Sequence, residues 1–237
     1  MPLELLKTRI FADGADRCSM LALHRNPLVT GFTTNPTLLK NAGITDFETF
    51  ARDILRHIPD RPISFEVFAD DFVEMARQAR KMDSWADNVF VKIPVTNTKG
   101  DSSNAMIQSL AADGIKINVT AVMSLDQVEE TTKALSHGPS SFISVFAGRI
   151  ADTGRDPIPL MQSALSLLSG LPHIELIWAS PREIFNLYQA INIGCPIITL
   201  PHSLLQKIKL FQKNLNDFSL ETVKTFHEDA LNAGFSV

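Results

Sequence analysis

Lys92 stands in the run VFVKIPV, an apolar, β-branched segment in which a solvated lysine has no evident task. Removing an ammonium from water favours its neutral form, and a neutral amine attacks a carbonyl carbon to give an imine. Two other uses fit the same position: a buried lysine paired with a carboxylate, or an edge-strand lysine reaching solvent. Glu66, in SFEVFAD, places a carboxylate in a second apolar run. It can relay protons, directly or through a water, or neutralise Lys92 in a structural ion pair. Asp13, in FADGAD, precedes Gly14. An aspartate there serves either as the base that takes a hydroxyl proton while a C–C bond breaks, or as a turn former or helix cap.

Further polar residues fall near the C-terminal ends of other apolar runs: Thr33, Thr34 and Asn35, then Asn118 with Thr120, Ser144, and Ser180. In GFTTNPTLLK the Asn-Pro pair favours a turn; as a functional loop, the Asn35 amide can hydrogen-bond substrate hydroxyls. Arg149 follows Gly148, and Arg182 comes two residues after Ser180. Each arginine can grip a phosphate through bidentate contacts or serve in a surface salt bridge. His24, His57, His137, His173, His202 and His227 show no metal-ligand spacing, so no catalytic metal is expected. Neither GxGxxG nor GxxxxGK[ST] occurs, and no cofactor is expected.

Residues so scattered need elements that gather them. Eight short apolar runs occur at 8–13, 27–32, 62–68, 88–95, 115–122, 141–146, 174–180 and 196–200. Helical patterns lie between them at 37–42 with 46–57, then 70–83, 101–113, 124–136, 157–169 and 181–193, and 202–233 reads as further helix. Ser124 with Gln127 three residues on forms a capping-box pattern. This alternation is that of a parallel sheet wrapped by helices. A closed barrel brings the strands' C-terminal ends to one mouth, where TIM-barrel enzymes place their chemistry, whereas an open doubly wound sheet would spread them out. The position of the polar residues favours a single (β/α)8 TIM barrel over 1–237, with a C-terminal helical extension.

Composition agrees with one globular core: 237 residues, 45% hydrophobic and 20% charged. The 22 Lys and Arg are dispersed among 26 acids, net −4, without the cationic face that nucleic acid binding requires. The N-terminus lacks a basic start followed by an apolar stretch, and no segment approaches a membrane span, so a soluble, cytoplasmic protein is expected. Cys18 and Cys195 are far apart and outside any CxxC or His-pair context, which predicts reduced, structural thiols.

Five blocks in register resemble the transaldolases, especially the small branch that includes fructose-6-phosphate aldolases: GFTTNPTLL, FVKIPVT with Gly100 downstream, INVTAV, FISVFAGRI and WASPR. The resemblance runs from about residue 8 to the C-terminus. It implies a metal-free Schiff-base mechanism on Lys92, with Asp13 as the base for the C4 hydroxyl. Glu66, with Thr120 holding a water, would move protons. Thr33, Asn35, Asn118, Ser144 and Phe146 would bind the sugar, with Asn35, Asn118 and Ser144 holding the dihydroxyacetone hydroxyls, and Arg149, Ser180 and Arg182 the phosphate. Sugar phosphates are the implied substrates and a homo-oligomer, decameric in many small members, the implied assembly. Glu66, Phe146 and Asn118 resemble transaldolases; the aldolases have Gln and Tyr at the first two positions. Phe32, Val145 and Pro181 depart from the usual blocks, Pro181 at the border of the phosphate site.

Overall fold

β-Branched and aromatic runs become strands, and the stretches between them become helices, several of which start at a side chain that caps the first turn. The computed structural model describes residues 7–235. Its strands are β1 (Arg9–Asp13), β2 (Val29–Thr33), β3 (Ile63–Glu66), β4 (Val89–Pro94), β5 (Ile117–Val122), β6 (Ser141–Val145), β7 (Ile174–Trp178) and β8 (Ile197–Pro201). Its helices are α1 (Arg17–His24), α2 (Pro36–Asn41), α3 (Phe47–His57), α4 (Phe72–Asp83), α5 (Asn104–Ala112), α6 (Leu125–Leu135), α7 (Ala147–Asp152), α8 (Ile158–Leu167), α9 (Phe185–Asn192), α10 (His202–Leu205) and α11 (Leu215–Ala233). The eight strands close in sequence order, with β8 pairing in parallel with β1. This is the (β/α)8 barrel that the polar residues pointed to.

By internal contacts the chain divides into two units, one ending at Leu205 and one beginning at Gln206. In the barrel unit the alternation of side chains along each strand sorts the lumen into layers. Arg9 and Glu175 pair near the N-terminal ends of β1 and β7. Phe11, Phe90, Phe142, Ile177, Ala179 and Ile197 form one buried cluster, with Phe90 and Phe142 stacked at 4.2 Å and Phe11 edge-on to Phe142 at 5.6 Å. Gly31 makes room for this plug: a Cβ there would lie 2.6 Å from the Phe11 ring. Two residues further along the same strands come Asp13 after Phe11, Thr33 after Gly31, Lys92 after Phe90, Ser144 after Phe142 and Thr199 after Ile197. A buried, largely aromatic floor thus underlies a polar layer at the strands' C-terminal ends.

The capping box at the start of α6 is formed, Ser124 and Gln127 each bonding the other's backbone. Two helices were not anticipated. α1 is short and weakly amphipathic but is capped by Asp16, whose Oδ1 accepts from Ser19 N at 2.8 Å. α7 carries Gly148 in its first turn, a poor helix former, which hid it. The helix expected over 181–193 starts only at Phe185, because Pro181 lies outside it and the Asn186 side chain takes the backbone N–H groups of Arg182 and Glu183. The expected helix 202–233 is interrupted: a 3-10 turn spans Gln206–Leu210, Gln212 adopts φ 61°, and Asn214 caps α11 anew.

In the second unit the nineteen-residue α11 has no buried residue and stops at Gly234, whose φ of 67° is a left-handed C-terminal cap. Lys213 pairs with Glu221 and lies 5.0 Å over the Phe218 ring. Among the described residues no helix is long and apolar enough to cross a membrane.

Candidate active site

Lys92 projects from β4 into the polar layer and is 5% exposed. Its Nζ lies 3.0 Å from Glu66 Oε2 and donates to the Thr34 carbonyl at 2.9 Å. The register explains the pair, since Glu66 on β3 is the direct partner of Lys92 on β4. Both alternatives read from the sequence therefore meet at one contact: the lysine is buried against a carboxylate, and that carboxylate is within proton-transfer reach. A proton passing from Nζ to Glu66 leaves an amine and an acid with no change in net charge, which a desolvated site tolerates better than a lone ion.

Asp13 ends β1, and burial raises its pKa above the usual carboxylate value; the Lys92 charge and the Thr33 hydroxyl oppose that rise without cancelling it. Thr33 Oγ1 donates to Asp13 Oδ1 at 2.7 Å and lies 2.6 Å from Thr199 Oγ1. The hydroxyls thus align, Thr199 toward Thr33 and Thr33 toward Asp13. On the opposite wall Ser144 Oγ donates to Asn118 Oδ1 at 2.7 Å and Asn118 Nδ2 donates to Ser64 Oγ at 2.9 Å. This second chain sets which end of the Asn118 amide is the donor.

Thr120 is buried and its Oγ1 has no partner. The β5–β6 register breaks between Val119 and Val122, and Ala121 takes φ 61°. Such a bulge re-aims side chains near sites, and a buried hydroxyl left alone is a natural anchor for a water. Asn35 is the N-cap of α2, its Oδ1 accepting from Leu38 N at 3.0 Å with Pro36 at the first helical position. The turn and the functional reading of this loop are compatible: capping engages the oxygen, and the amide NH2 can donate to a ligand.

A cavity of about 110 Å³ is lined by Asp13, Thr33, Asn35, Lys92, Thr120, Ser144, Phe146, Arg149, Ala179, Ser180 and Thr199. It brings together residues from six strands and from the segments that follow them. Arg149, in α7, stacks 5.2 Å over the Phe146 ring. Ser180 holds φ 58°, uncommon for a non-glycine residue, and its carbonyl packs on Gly148, where a Cβ would lie 1.6 Å away. Three of the residues anticipated from sequence do not line this cavity. Glu66 reaches it only through its contact with Lys92, and Asn118 only through its bond to Ser144. Arg182 is engaged by Asp152 through Nε at 3.1 Å and through Nη2. Sequence reading missed Thr199 and Ser64. Each is one hydroxyl in an apolar strand, and only the strand register shows that it points inward.

A larger, mainly apolar cavity of about 350 Å³ opens alongside, between α1, α2 and the start of α10, with Asp13 common to both. The smaller one holds the amine and the convergent hydroxyls and is the candidate active site. Among the described residues no group of three His, Cys, Asp or Glu could hold a metal. Cys18 is exposed; Cys195 is buried, which pushes its thiol up to about 12 and leaves it unreactive.

The Transaldolase/Fructose-6-phosphate aldolase family matches residues 10–236. A "probable transaldolase" of Dehalococcoides mccartyi is 33% identical over 210 residues, covering 88% of this chain and 93% of the relative. "Probable transaldolase 2" of Listeria monocytogenes is 35% identical over 215 residues, covering 90% and 93%. In fold alone the chain resembles the crystal structure of a "putative phosphonomutase" from Burkholderia cenocepacia, with a TM-score of 0.58 at 12% identity, covering 88% of this chain and 94% of that one. The chain belongs to the transaldolase/fructose-6-phosphate aldolase family.

Proposed function

We propose that the protein is a class I transaldolase that moves a dihydroxyacetone unit from a ketose phosphate to an aldose phosphate through an imine on Lys92. The observation that carries this reading is the Lys92 amine, buried 3.0 Å from Glu66 and facing a cavity that Asp13 also lines. Lys92 Nζ adds to the ketose C2; Glu66 and a water on Thr120 pass the protons that let the carbinolamine lose water. Asp13 then takes the C4 hydroxyl proton, the C3–C4 electrons flow into the iminium, and an aldose leaves. The enamine on Lys92 attacks the acceptor aldehyde while Asp13 returns the proton, and water releases the new ketose. Asn35 and Ser144 hold the dihydroxyacetone hydroxyls, Asn118 fixing the Ser144 hydroxyl from outside the cavity instead of touching the sugar, with Thr33 orienting Asp13. Arg149 and Ser180 meet the phosphate, joined by Arg182. Sedoheptulose 7-phosphate with glyceraldehyde 3-phosphate, giving erythrose 4-phosphate and fructose 6-phosphate, is the substrate set proposed.

Phe146 favours transfer over release of free dihydroxyacetone. It lines the cavity without a hydroxyl, so it cannot donate a proton to the enamine carbon, and protonation there is what diverts the intermediate from an aldehyde acceptor. We further propose that the protein works as a homo-oligomer, because α11 leaves Leu220, Val223, Phe226 and Leu231 exposed.

Incubation with fructose 6-phosphate and borohydride, followed by peptide mass analysis, is expected to show a reduced three-carbon adduct on Lys92. Lys92→Ala should lose turnover while still binding the sugar phosphate. Absence of any adduct, where a known Schiff-base aldolase is labelled, would withdraw the substrate assignment. A sugar-phosphate binder without chemistry would have no turnover to lose.

A further inference from the structure

We propose that Asp152 is a positioning residue that sets phosphate affinity: it parks Arg182 away from the anion-binding end of the cavity, so that Arg182 joins only when a phosphate displaces the carboxylate. The proposal deepens the transaldolase reading and rests on it for the identity of the anion.

Arg149 and Ser180 line the cavity, whereas Arg182, two residues after Ser180, does not. Its guanidinium is taken at two nitrogens by Asp152, the last residue of α7. The backbone of Arg182 is anchored, its N–H donating to Asn186 Oδ1 at 2.7 Å. Its Cγ passes 3.3 Å from the place a Cβ would occupy on Gly148, one residue before Arg149. The stem of Arg182 therefore already runs beside Gly148, in the turn that presents Arg149.

The exchange is favoured by the setting of each partner. Both side chains of the pair are about half exposed, 47% for Arg182 and 51% for Asp152. An exposed pair of this kind is weakly held, and Asp152 freed from it is solvated. A phosphate offers the same guanidinium a higher charge and bidentate geometry in a less hydrated place. A neutral ketose offers nothing that competes with Asp152. The carboxylate thus competes with the phosphate for one arginine and lowers phosphate affinity, while an unphosphorylated sugar, which does not engage Arg182, is unaffected.

The test is the Asp152→Asn variant of the full chain, with inorganic phosphate as the probe in titration calorimetry. Phosphate is expected to bind about 2- to 5-fold more tightly than to the wild type, the range an exposed ion pair can withhold. The KM for fructose 6-phosphate should fall by the same factor, with the KM for fructose unmoved. Adding Arg182→Ala should abolish the gain. Unchanged or weaker phosphate binding in Asp152→Asn would overturn the proposal, and so would a gain that survives without Arg182, since that would be a general charge effect. If the phosphate gain appears but borohydride traps no adduct on Lys92, the transaldolase reading fails and the role of Asp152 stands.

Discussion

At Asp13 the cost of burial and the use of burial are the same effect. Its folded pKa is raised, chiefly by desolvation, so between the unfolded and folded values the native state holds the extra proton. Stability present at low pH is then lost as pH rises through the folded value. Asp13→Asn removes that loss. The variant should gain stability relative to the wild type as pH is raised from about 4 toward neutrality, while turnover falls about 10²- to 10⁴-fold. Urea midpoints at a series of pH values check the first expectation and steady-state kinetics the second; a stability difference that does not change with pH would contradict the burial account. Lys92, Glu66 and Asp13 were legible in sequence because charge inside an apolar run is anomalous wherever the run ends up. Thr199 and Ser64 were not, because hydroxyls are ordinary in strands.

Among the elements, the contact of α7 with the segment after β7 shapes the end of the cavity lined by Arg149 and Ser180, the proposed anion site. Ser180 is held at φ 58° with its carbonyl against Gly148, so the two segments approach at a distance only glycine permits. Gly148→Ala would place a Cβ 1.6 Å from Ser180 O and must push the loop away. The expected result is a KM for the phosphorylated ketose raised about tenfold or more, equivalent to about 1.4 kcal/mol of lost binding, with imine trapping on Lys92 retained. An unchanged KM would show that this contact does not position the anion site. Neither element boundary here was legible beforehand. The glycine in its first turn hid α7, and 181–193 read as helix from Pro181 onward although the helix starts only at Phe185.

For the whole molecule, the barrel unit buries its apolar strands completely, while α11 leaves a face of Leu220, Val223, Phe226 and Leu231 uncovered. If that face joins copies of the chain, Val223→Asp with Phe226→Asp should shift sedimentation toward the monomer and leave the barrel folded by circular dichroism. A wild-type monomer, or a variant whose assembly is unchanged, would rule out the oligomer built on this helix. The fold class followed from sequence because short apolar runs buried on both faces, alternating with helical stretches, are local patterns, repeated eight times along the chain, with polar residues near the strands' C-terminal ends. The interruption between α10 and α11 was less visible, since 202–233 is compositionally helical throughout, and it is the 3-10 turn over Gln206–Leu210 with the backbone at Gln212 and Asn214 that breaks it.

The sequence by itself determined which residues are chemically out of place in their surroundings, that strands and helices alternate, and which family's blocks the chain carries, because each depends on neighbours within a few positions. Only the tertiary structure decided the partners. Closure of the barrel sets Lys92 against Glu66, links Thr33 to Thr199 across 166 positions, and gives Arg182 to Asp152 instead of to the cavity. The physical reason is that a strand's pattern says which face a side chain occupies, whereas the group it meets there depends on the register of the other strands and on competition among charges from distant parts of the chain.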